Sequence, residues 1–128
     1  MSLPKILHVE DDPDIREIAL LALDTVGGLD VVQCPSGQEA LDCVADVAPD
    51  LFLLDVMMPG MNGEETFLAL RAMPQFAGTP AVFMTAKAQP TEVARLRELG
   101  ADDVITKPFD PMTLAQQIVE IWNRTKTN

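Results

Sequence analysis

Five short apolar runs alternate with helix-forming segments along this chain, and that alternation most restricts the folds open to it. The third run, Leu51–Leu54, is apolar at every position, which is typical of a strand buried on both faces of a parallel sheet. Parallel strands require right-handed crossovers, whose helices pack on both faces. We therefore predict one α/β domain over residues 1–128, a doubly wound five-stranded parallel sheet with helices on both faces. The other predicted strands are Lys5–Val9, Val31–Cys34, Ala81–Met84 and Asp103–Thr106.

Helix start and stop signals bound five predicted helices. Asp12 and Asn62 are suited to cap the first and third helices, and Ser36 with Glu39 has the form of a capping box before the second. The first helix is apolar around much of its circumference, so we expect it to be nearly enclosed, with contact to a partner as the alternative. The third helix is expected to bury Phe67, Leu68 and Leu70. The predicted ranges are 13–26, 37–47, 63–73, 90–99 and 111–123.

The charge balance and the cysteines bear on function and on location. The formal net charge is −11, which argues against nucleic acid or an anionic membrane as the main partner, because such surfaces attract Lys and Arg. The N-terminus lacks signal-peptide features, and no apolar run approaches the ~20 residues of a membrane span. We therefore expect a cytoplasmic protein. Cys34 and Cys43 lack zinc-ligand spacing and are expected to pack as small apolar residues.

Polar residues follow four of the predicted strands at their C-terminal ends. Glu10 and Asp11 follow the first strand, Asp55 the third, Thr85 the fourth and Lys107 the fifth. In a doubly wound sheet these ends meet at one edge, where ligands bind at the reversal of strand order. We therefore predict that the five side chains form one site. His8 lies inside the first strand, and we expect it to be a packed histidine.

Three carboxylates at one edge repel one another unless a cation lies among them. Mg²⁺ fits best because it takes oxygen ligands from one or two carboxylates; Ca²⁺ is an alternative, and Zn²⁺ prefers His or Cys. With a metal bound, the Asp55 carboxylate is suited to attack phosphorus and form an acyl phosphate. Lys107 would then neutralise phosphoryl oxygens, and the Thr85 hydroxyl would donate a hydrogen bond to one of them.

Four segments together resemble the receiver domain of bacterial two-component response regulators. The resemblance covers nearly the whole chain and implies a flavodoxin-like sheet with strand order 2-1-3-4-5. It also implies that the chain accepts a phosphoryl group from a sensor histidine kinase or a histidine phosphotransfer protein and passes the signal to an unknown downstream protein. From the acidic charge and the lack of a membrane span we expect no direct contact with nucleic acid and none with a membrane. The segments are Ile6–Pro13, Leu54–Gly63, Thr85–Ala86 and Gly100–Phe109.

The resemblance assigns a role to each site residue. Asp55 is similar to the phosphoacceptor, and Asp11 to the direct Mg²⁺ ligand that acts with Asp55 and the Met57 carbonyl. Glu10 corresponds to the acid that acts through a metal-bound water. Thr85 corresponds to the switch hydroxyl, and Lys107 to the lysine that pairs with the phosphoryl group. The Lys107–Pro108 bond is expected to be cis, as in the family.

One position departs from the family pattern, and two others correspond to positions that affect the lifetime of the phosphoryl group. Val104 stands where many receivers have Tyr or Phe, so signalling through an inward-turning ring is not expected here. Met57 and Lys87 occupy positions that tune the lifetime of the phosphoryl group in the family. The apolar surface of the first helix corresponds to the surface on which phosphodonor helices dock.

Other functions remain open at this point. We expect a switch that catalyses only its own phosphorylation and dephosphorylation, and therefore not a conventional enzyme. A Mg²⁺-dependent phosphohydrolase usually carries a second acid shortly after its nucleophile, where this chain has Met57. A module that no longer uses phosphorylation is a further alternative, whereas a dinucleotide-binding protein would need a Gly-rich loop after the first strand. The sequence fits either a stand-alone regulator or a receiver taken from a longer protein.

Overall fold

The computed structural model describes residues 3–126 and confirms the predicted alternation of strands and helices. The strands are β1 (Lys5–Val9), β2 (Asp30–Cys34), β3 (Leu51–Asp55), β4 (Ala81–Thr85) and β5 (Asp103–Thr106). The helices are α1 (Pro13–Leu20), α2 (Gly37–Val47), α3 (Gly63–Arg71), α4 (Pro90–Leu99) and α5 (Leu114–Lys126). A π-helical segment, Leu21–Val26, continues α1, and a 3₁₀ turn, Pro74–Phe76, follows α3.

The five strands form one parallel sheet in the order β2-β1-β3-β4-β5, as predicted. Val9 of β1 pairs with Leu54 of β3, so these two strands end side by side. Thr85 pairs with Thr106 at the ends of β4 and β5. The register therefore brings the residues that follow β1, β3, β4 and β5 to the same edge of the sheet.

Alternate residues of the central strand build two apolar layers, because successive side chains of a strand point to opposite faces. Phe52 and Leu54 pack in the layer covered by α2, α3 and α4. Leu51 and Leu53 pack in the layer covered by the π-helical segment and α5. All five residues of β3 are buried, which explains why this strand is an almost continuous apolar run.

The three predicted N-cap residues cap their helices. The Asp12 side chain accepts hydrogen bonds from the backbone N–H groups of Asp14 and Ile15 at the start of α1. Asn62 caps α3 and forms a reciprocal capping box with Glu65. Ser36 caps α2 by accepting from the Glu39 N–H, but the Glu39 side chain is exposed to solvent and the described contacts include no reciprocal bond from it.

The prediction that the first helix is nearly enclosed was wrong. The π-helical continuation of α1 packs against α5 and β2, so its outward side stays uncovered. Ile18 is 46% exposed and Leu21 is 53% exposed. The expectation for Leu68 of α3 was also wrong, because this side chain is 50% exposed while its neighbours Phe67 and Leu70 are buried.

Two further expectations have outcomes here. Cys34 is buried, Cys43 is partly buried, and their Sγ atoms lie 3.3 Å apart as free thiols. Helix α5 begins at Leu114, three residues later than predicted, and it buries Leu114 and Ile118. Among residues 3–126, no helix combines the length and the apolar character needed to cross a membrane.

Candidate functional site

Three carboxylates converge where β1 and β3 end. One potential ligand atom from each of Glu10, Asp11 and Asp55 lies within 4.8 Å of the others. Glu10 and Asp55 are almost completely buried, whereas Asp11 is more exposed. The two central strands thus deliver acids that are 45 residues apart in the chain to one cluster, as the sequence predicted.

Backbone hydrogen bonds extend the sheet past the last strand residues and hold these acids in place. The Glu10 N–H donates to the Cys34 carbonyl at 3.0 Å, which continues the β1–β2 ladder by one residue. The Val56 N–H donates to the Met84 carbonyl at 3.0 Å, directly after Asp55. The acids therefore project from backbone that the sheet still fixes.

Lys107 brings the balancing positive charge into the cluster. Its Nζ atom lies 2.8 Å from Glu10 Oε1 and 2.8 Å from Asp55 Oδ1. The Lys107 backbone N–H donates to the Thr85 carbonyl at 2.8 Å, and the Lys107–Pro108 bond is cis as predicted. Burial alone would lower the pKa of Lys107, but the bonds to Asp55 and Glu10 raise it above the usual value. Lys107 is therefore a permanent cation at this edge.

Glu10 is the acid whose protonation the site changes most. Burial raises the pKa of Glu10 to about 7; the Lys107 bond opposes this shift, and the neighbouring Asp55 carboxylate reinforces it. The Glu10 carboxyl group therefore holds its proton to higher pH mainly because it is buried, and the Lys107 bond only partly offsets this effect.

Thr85 lies buried beside Lys107, but its hydroxyl is engaged locally. The Thr85 Oγ1 atom accepts a hydrogen bond from the Lys87 N–H at 3.0 Å, so the hydroxyl hydrogen is available for donation elsewhere. Val104 is half-buried against the layer covered by α2, α3 and α4, and it provides no ring that could turn inward.

The donor set fits Mg²⁺. All three clustered groups are carboxylates, which are hard oxygen donors, and the described cluster contains no His or Cys that would favour Zn²⁺. Glu10, Asp11 and Asp55 are therefore the residues that could hold the ion. The ligand role of the Met57 carbonyl stays a prediction. The Met57 side chain is 69% exposed on the loop just beyond Asp55.

The sequence analysis missed two polar residues that support the acid cluster. Arg16 Nη1 donates to the carbonyls of Glu10, at 2.8 Å, and Asp11, at 3.1 Å. Gln33 Nε2 donates to the Arg16 carbonyl at 2.8 Å and lies 3.1 Å from His8 Nδ1. The only signal in the sequence was a single basic residue early in a helix that follows an acidic run, which is too common to identify a supporting role.

An apolar cleft of about 500 Å³ opens beside Lys107. Ile15 and Ile18 of α1 form one wall, and the segment after β5 forms the other. The exposed side of the first helix, which the sequence analysis expected to be enclosed, therefore borders the acid cluster. The residues of the second wall are Pro108, Phe109 and Pro111.

Gly63→Ala is expected to destabilise the protein by roughly 3 kcal/mol, because the new Cβ has no room. It would lie 2.0 Å from the Asp55 carbonyl oxygen and 2.8 Å from the Asp55 carbonyl carbon. Urea unfolding measures the loss. Gly78→Ala is the matched control, since a Cβ at Gly78 meets nothing within 4 Å. Equal stability of the two variants would contradict this close packing of the loop against Asp55.

His8→Leu is expected to change how stability depends on pH in the metal-free protein. Burial, with Lys107 and Arg16 nearby, lowers the pKa of His8 to about 3, so its contribution is full above pH ~6.5 and is lost as pH falls toward ~3. Glu10 acts oppositely: its raised pKa costs stability as pH rises from ~4.5 toward ~7. The two contributions nearly cancel between pH ~5 and ~6.5.

In His8→Leu, the Glu10 contribution to the pH dependence of stability should no longer be cancelled by that of His8. Relative to wild type, the free energy of unfolding of His8→Leu is expected to fall by about 2 kcal/mol between pH ~5 and ~6.5. Urea unfolding in EDTA at both pH values measures this difference. Glu10→Gln serves as the control, because its stability relative to wild type should change in the opposite direction. Parallel curves for all three proteins would show that neither group titrates as described.

Comparison with known proteins adds family information to this geometry. A family model described as "Response regulator receiver domain" matches residues 6–119. DNA-binding response regulator MtrA of Mycolicibacterium smegmatis is 40% identical over 114 residues, which are 89% of this chain and 48% of that protein. Chemotaxis protein CheY4 of Vibrio cholerae superposes with a TM-score of 0.86 at 30% identity and covers 94% of this chain and 99% of that chain.

A third similar protein comes from a different context. The signal receiver domain of a signal transduction histidine kinase from Syntrophus aciditrophicus superposes with a TM-score of 0.82 at 32% identity, over 98% of this chain and 94% of that chain. The chain spans about half the length of the curated relatives it matches, such as MtrA at 48%. The DNA binding named for MtrA describes that longer protein, so the expectation that this chain contacts no nucleic acid stays a prediction.

Proposed function

This chain belongs to the response regulator receiver domain family of two-component systems, and from that membership we propose that it is a switch activated by phosphorylation of Asp55. The observation that carries the proposal is the placement of the Asp55 carboxylate. It is buried at the edge of the sheet, 2.8 Å from Lys107 Nζ and within one cluster with Glu10 and Asp11. A nucleophile beside a fixed cation and a metal-binding acid cluster is what transfer of a phosphoryl group requires.

In the proposed reaction, an Asp55 carboxylate oxygen attacks the phosphorus of a phosphohistidine. An O–P bond forms, the N–P bond of the phosphohistidine breaks, and the released imidazole nitrogen keeps the electron pair. Lys107 holds positive charge next to the attacking carboxylate, and Thr85 retains a hydroxyl hydrogen to donate to a phosphoryl oxygen. Mg²⁺, when bound by Glu10, Asp11 and Asp55, supplies further positive charge against the phosphoryl oxygens.

The proposed phosphodonor is a sensor histidine kinase or a histidine phosphotransfer protein. The apolar cleft between Ile15, Ile18 and Phe109 lies next to Lys107, so a helix docked there would bring its histidine to the acid cluster. The exposure of Ile18 and Leu21 supports this use of the surface, because large apolar side chains left in solvent often mark contact sites.

The proposed output is a change in protein–protein contacts. Thr85 could donate its hydroxyl hydrogen to a phosphoryl oxygen while it still accepts from the Lys87 N–H, so movement of Thr85 toward the phosphoryl group would draw the loop between β4 and α4 with it. Val104 supplies no ring to follow this movement, so the loop itself and α4 would carry the signal. Because it would catalyse only its own phosphorylation and dephosphorylation, we propose that it is not a conventional enzyme. It would act in the cytoplasm, with a protein as its target.

Incubation with acetyl phosphate, with and without Mg²⁺, tests this function. We expect intact mass spectrometry to detect one added phosphoryl group that requires Mg²⁺. The decay of this adduct would then measure whether the exposed Met57 side chain slows the attack of water. Steady release of phosphate without an adduct would instead favour a Mg²⁺-dependent phosphohydrolase. If neither an adduct nor phosphate release is detected, the result would favour a module that no longer uses phosphorylation.

A further inference from the structure

Arg16 connects helix α1 to the backbone that carries two of the clustered acids. Its Nη1 atom donates to the Glu10 carbonyl at 2.8 Å and to the Asp11 carbonyl at 3.1 Å. These carbonyls belong to the short segment between the end of β1 and the start of α1, where the described ladder bonds reach the Glu10 N–H and go no further. One partly buried guanidinium group therefore holds both peptide units that precede the helix.

Gln33 fixes Arg16 from the neighbouring strand. Its Nε2 atom donates to the Arg16 carbonyl, so this atom is the amide nitrogen, and its second hydrogen points to His8 Nδ1. His8 and Gln33 are directly opposite each other in the β1–β2 register. Because an amide nitrogen only donates, His8 Nδ1 is the acceptor of this bond. Hydrogen bonds of Gln33 thus connect β1, β2 and α1 next to the segment that carries Glu10 and Asp11.

We propose that Arg16 is a positioning residue for the metal site and acts through the backbone of Glu10 and Asp11. This inference rests on the proposed function, since it takes the acid cluster to be a Mg²⁺ site. Removal of both carbonyl bonds would leave Glu10 held by the sheet and by Lys107 but would loosen the peptide unit of Asp11, so the ion would have to order the Asp11 carboxylate again. Residues that orient metal ligands in this way typically contribute 10- to 100-fold to metal affinity.

The positive charge of Arg16 should have the opposite effect on Mg²⁺ affinity, so the direction of the change in affinity distinguishes the two roles. A guanidinium bound to the backbone of Glu10 and Asp11 repels a divalent cation at their side chains, so removal of charge alone would tighten Mg²⁺ binding. Loss of the two hydrogen bonds to the backbone carbonyls would instead weaken Mg²⁺ binding. Arg16→Met removes both the charge and the bonds. Arg16→Lys keeps the charge but ends one bond short of Nη1.

The test measures the Mg²⁺ affinity of each full-length variant without any phosphodonor. The shift of the thermal midpoint with Mg²⁺ concentration reports this affinity, and calorimetric titration of the metal-free protein measures it directly. We expect both Arg16 variants to bind Mg²⁺ on the order of tenfold more weakly than wild type. Arg97→Met is the matched control, because Arg97 lies on α4, forms an exposed pair with Asp103 of β5, and its replacement should leave the affinity unchanged.

Each outcome decides the proposal. A lower midpoint without Mg²⁺ but an unchanged affinity would make Arg16 a purely structural residue and overturn it. Tighter binding by Arg16→Met would overturn it in favour of a charge effect. Weaker binding by both variants, with normal binding by Arg97→Met, would support it. An absence of Mg²⁺ binding in wild type would overturn the metal site itself, and this result is distinct because it appears before any variant is made.

Discussion

Asp55→Asn is expected to lose the phosphoryl group that the wild-type protein gains from acetyl phosphate and Mg²⁺. Asparagine has nearly the same shape, but its neutral amide is a poor nucleophile and cannot form an acyl phosphate. Lys107 keeps its 2.8 Å bond to Glu10, so the site should remain folded. Intact mass spectrometry after incubation should find labelling at background level, whereas the wild-type chain carries one phosphoryl group.

Stability distinguishes this chemical effect from unfolding. The Asp55 carboxylate helps to raise the pKa of Glu10, so its replacement by a neutral amide relieves repulsion. The thermal midpoint of Asp55→Asn should therefore equal or exceed that of wild type. Asp42→Asn is the matched control, since Asp42 is exposed on α2 and pairs only locally with Gln38 in the described contacts. Labelling of Asp55→Asn at the wild-type level would place the acceptor on another residue.

Lys107→Met is expected to cost roughly 3 kcal/mol of stability at pH ~8 in the metal-free protein. Its side chain is largely buried and pairs with Glu10 and Asp55, so its removal leaves two buried carboxylates without their cation. Their repulsion then favours protonation, and the loss should be smaller at pH ~5, where Glu10 holds a proton in the folded state. Urea unfolding at both pH values, with EDTA and then with Mg²⁺, measures the effect.

Addition of Mg²⁺ should restore more stability to Lys107→Met than it adds to wild type, because without Lys107 the negative charge of the carboxylates is less neutralised. Lys87→Met is the matched control. Lys87 is an exposed lysine near the same edge of the sheet, and its replacement should change stability by no more than about 0.5 kcal/mol. If the two lysine variants lost equal stability, the ion pairs of Lys107 would not balance the buried acids.

Some features followed from the sequence because local pattern and chain topology are enough to determine them. The apolar run Leu51–Leu54 predicted a strand buried on both faces, and β3 is completely buried. Asp12 and Asn62 cap the helices that they precede, since a cap requires only the right residue just before a helix. The convergence of Glu10, Asp11, Asp55 and Lys107 followed from the rule that parallel strands end at one edge.

Other features depended on distances and coverage that sequence patterns do not encode. The apolar pattern of the first helix could not tell which side chains lie on the sheet, and Ile18 proved to be exposed beside the cleft. The reciprocal capping box formed at Asn62 and not at Ser36, although both positions have a glutamate three residues later.

The difference between what sequence and tertiary structure determine is clearest for Arg16 and Gln33, the polar residues that support the acid cluster. Arg16 binds backbone carbonyls, and every residue has a carbonyl, so no residue type in the sequence marks Glu10 and Asp11 as its partners. Gln33 reaches Arg16 only because β2 lies beside β1 in register. The sequence by itself determined which charged groups meet at the edge of the sheet, because motif order and parallel topology bring them there. The tertiary structure alone decided which neutral and backbone groups hold them, because those contacts depend on side-chain reach across neighbouring elements.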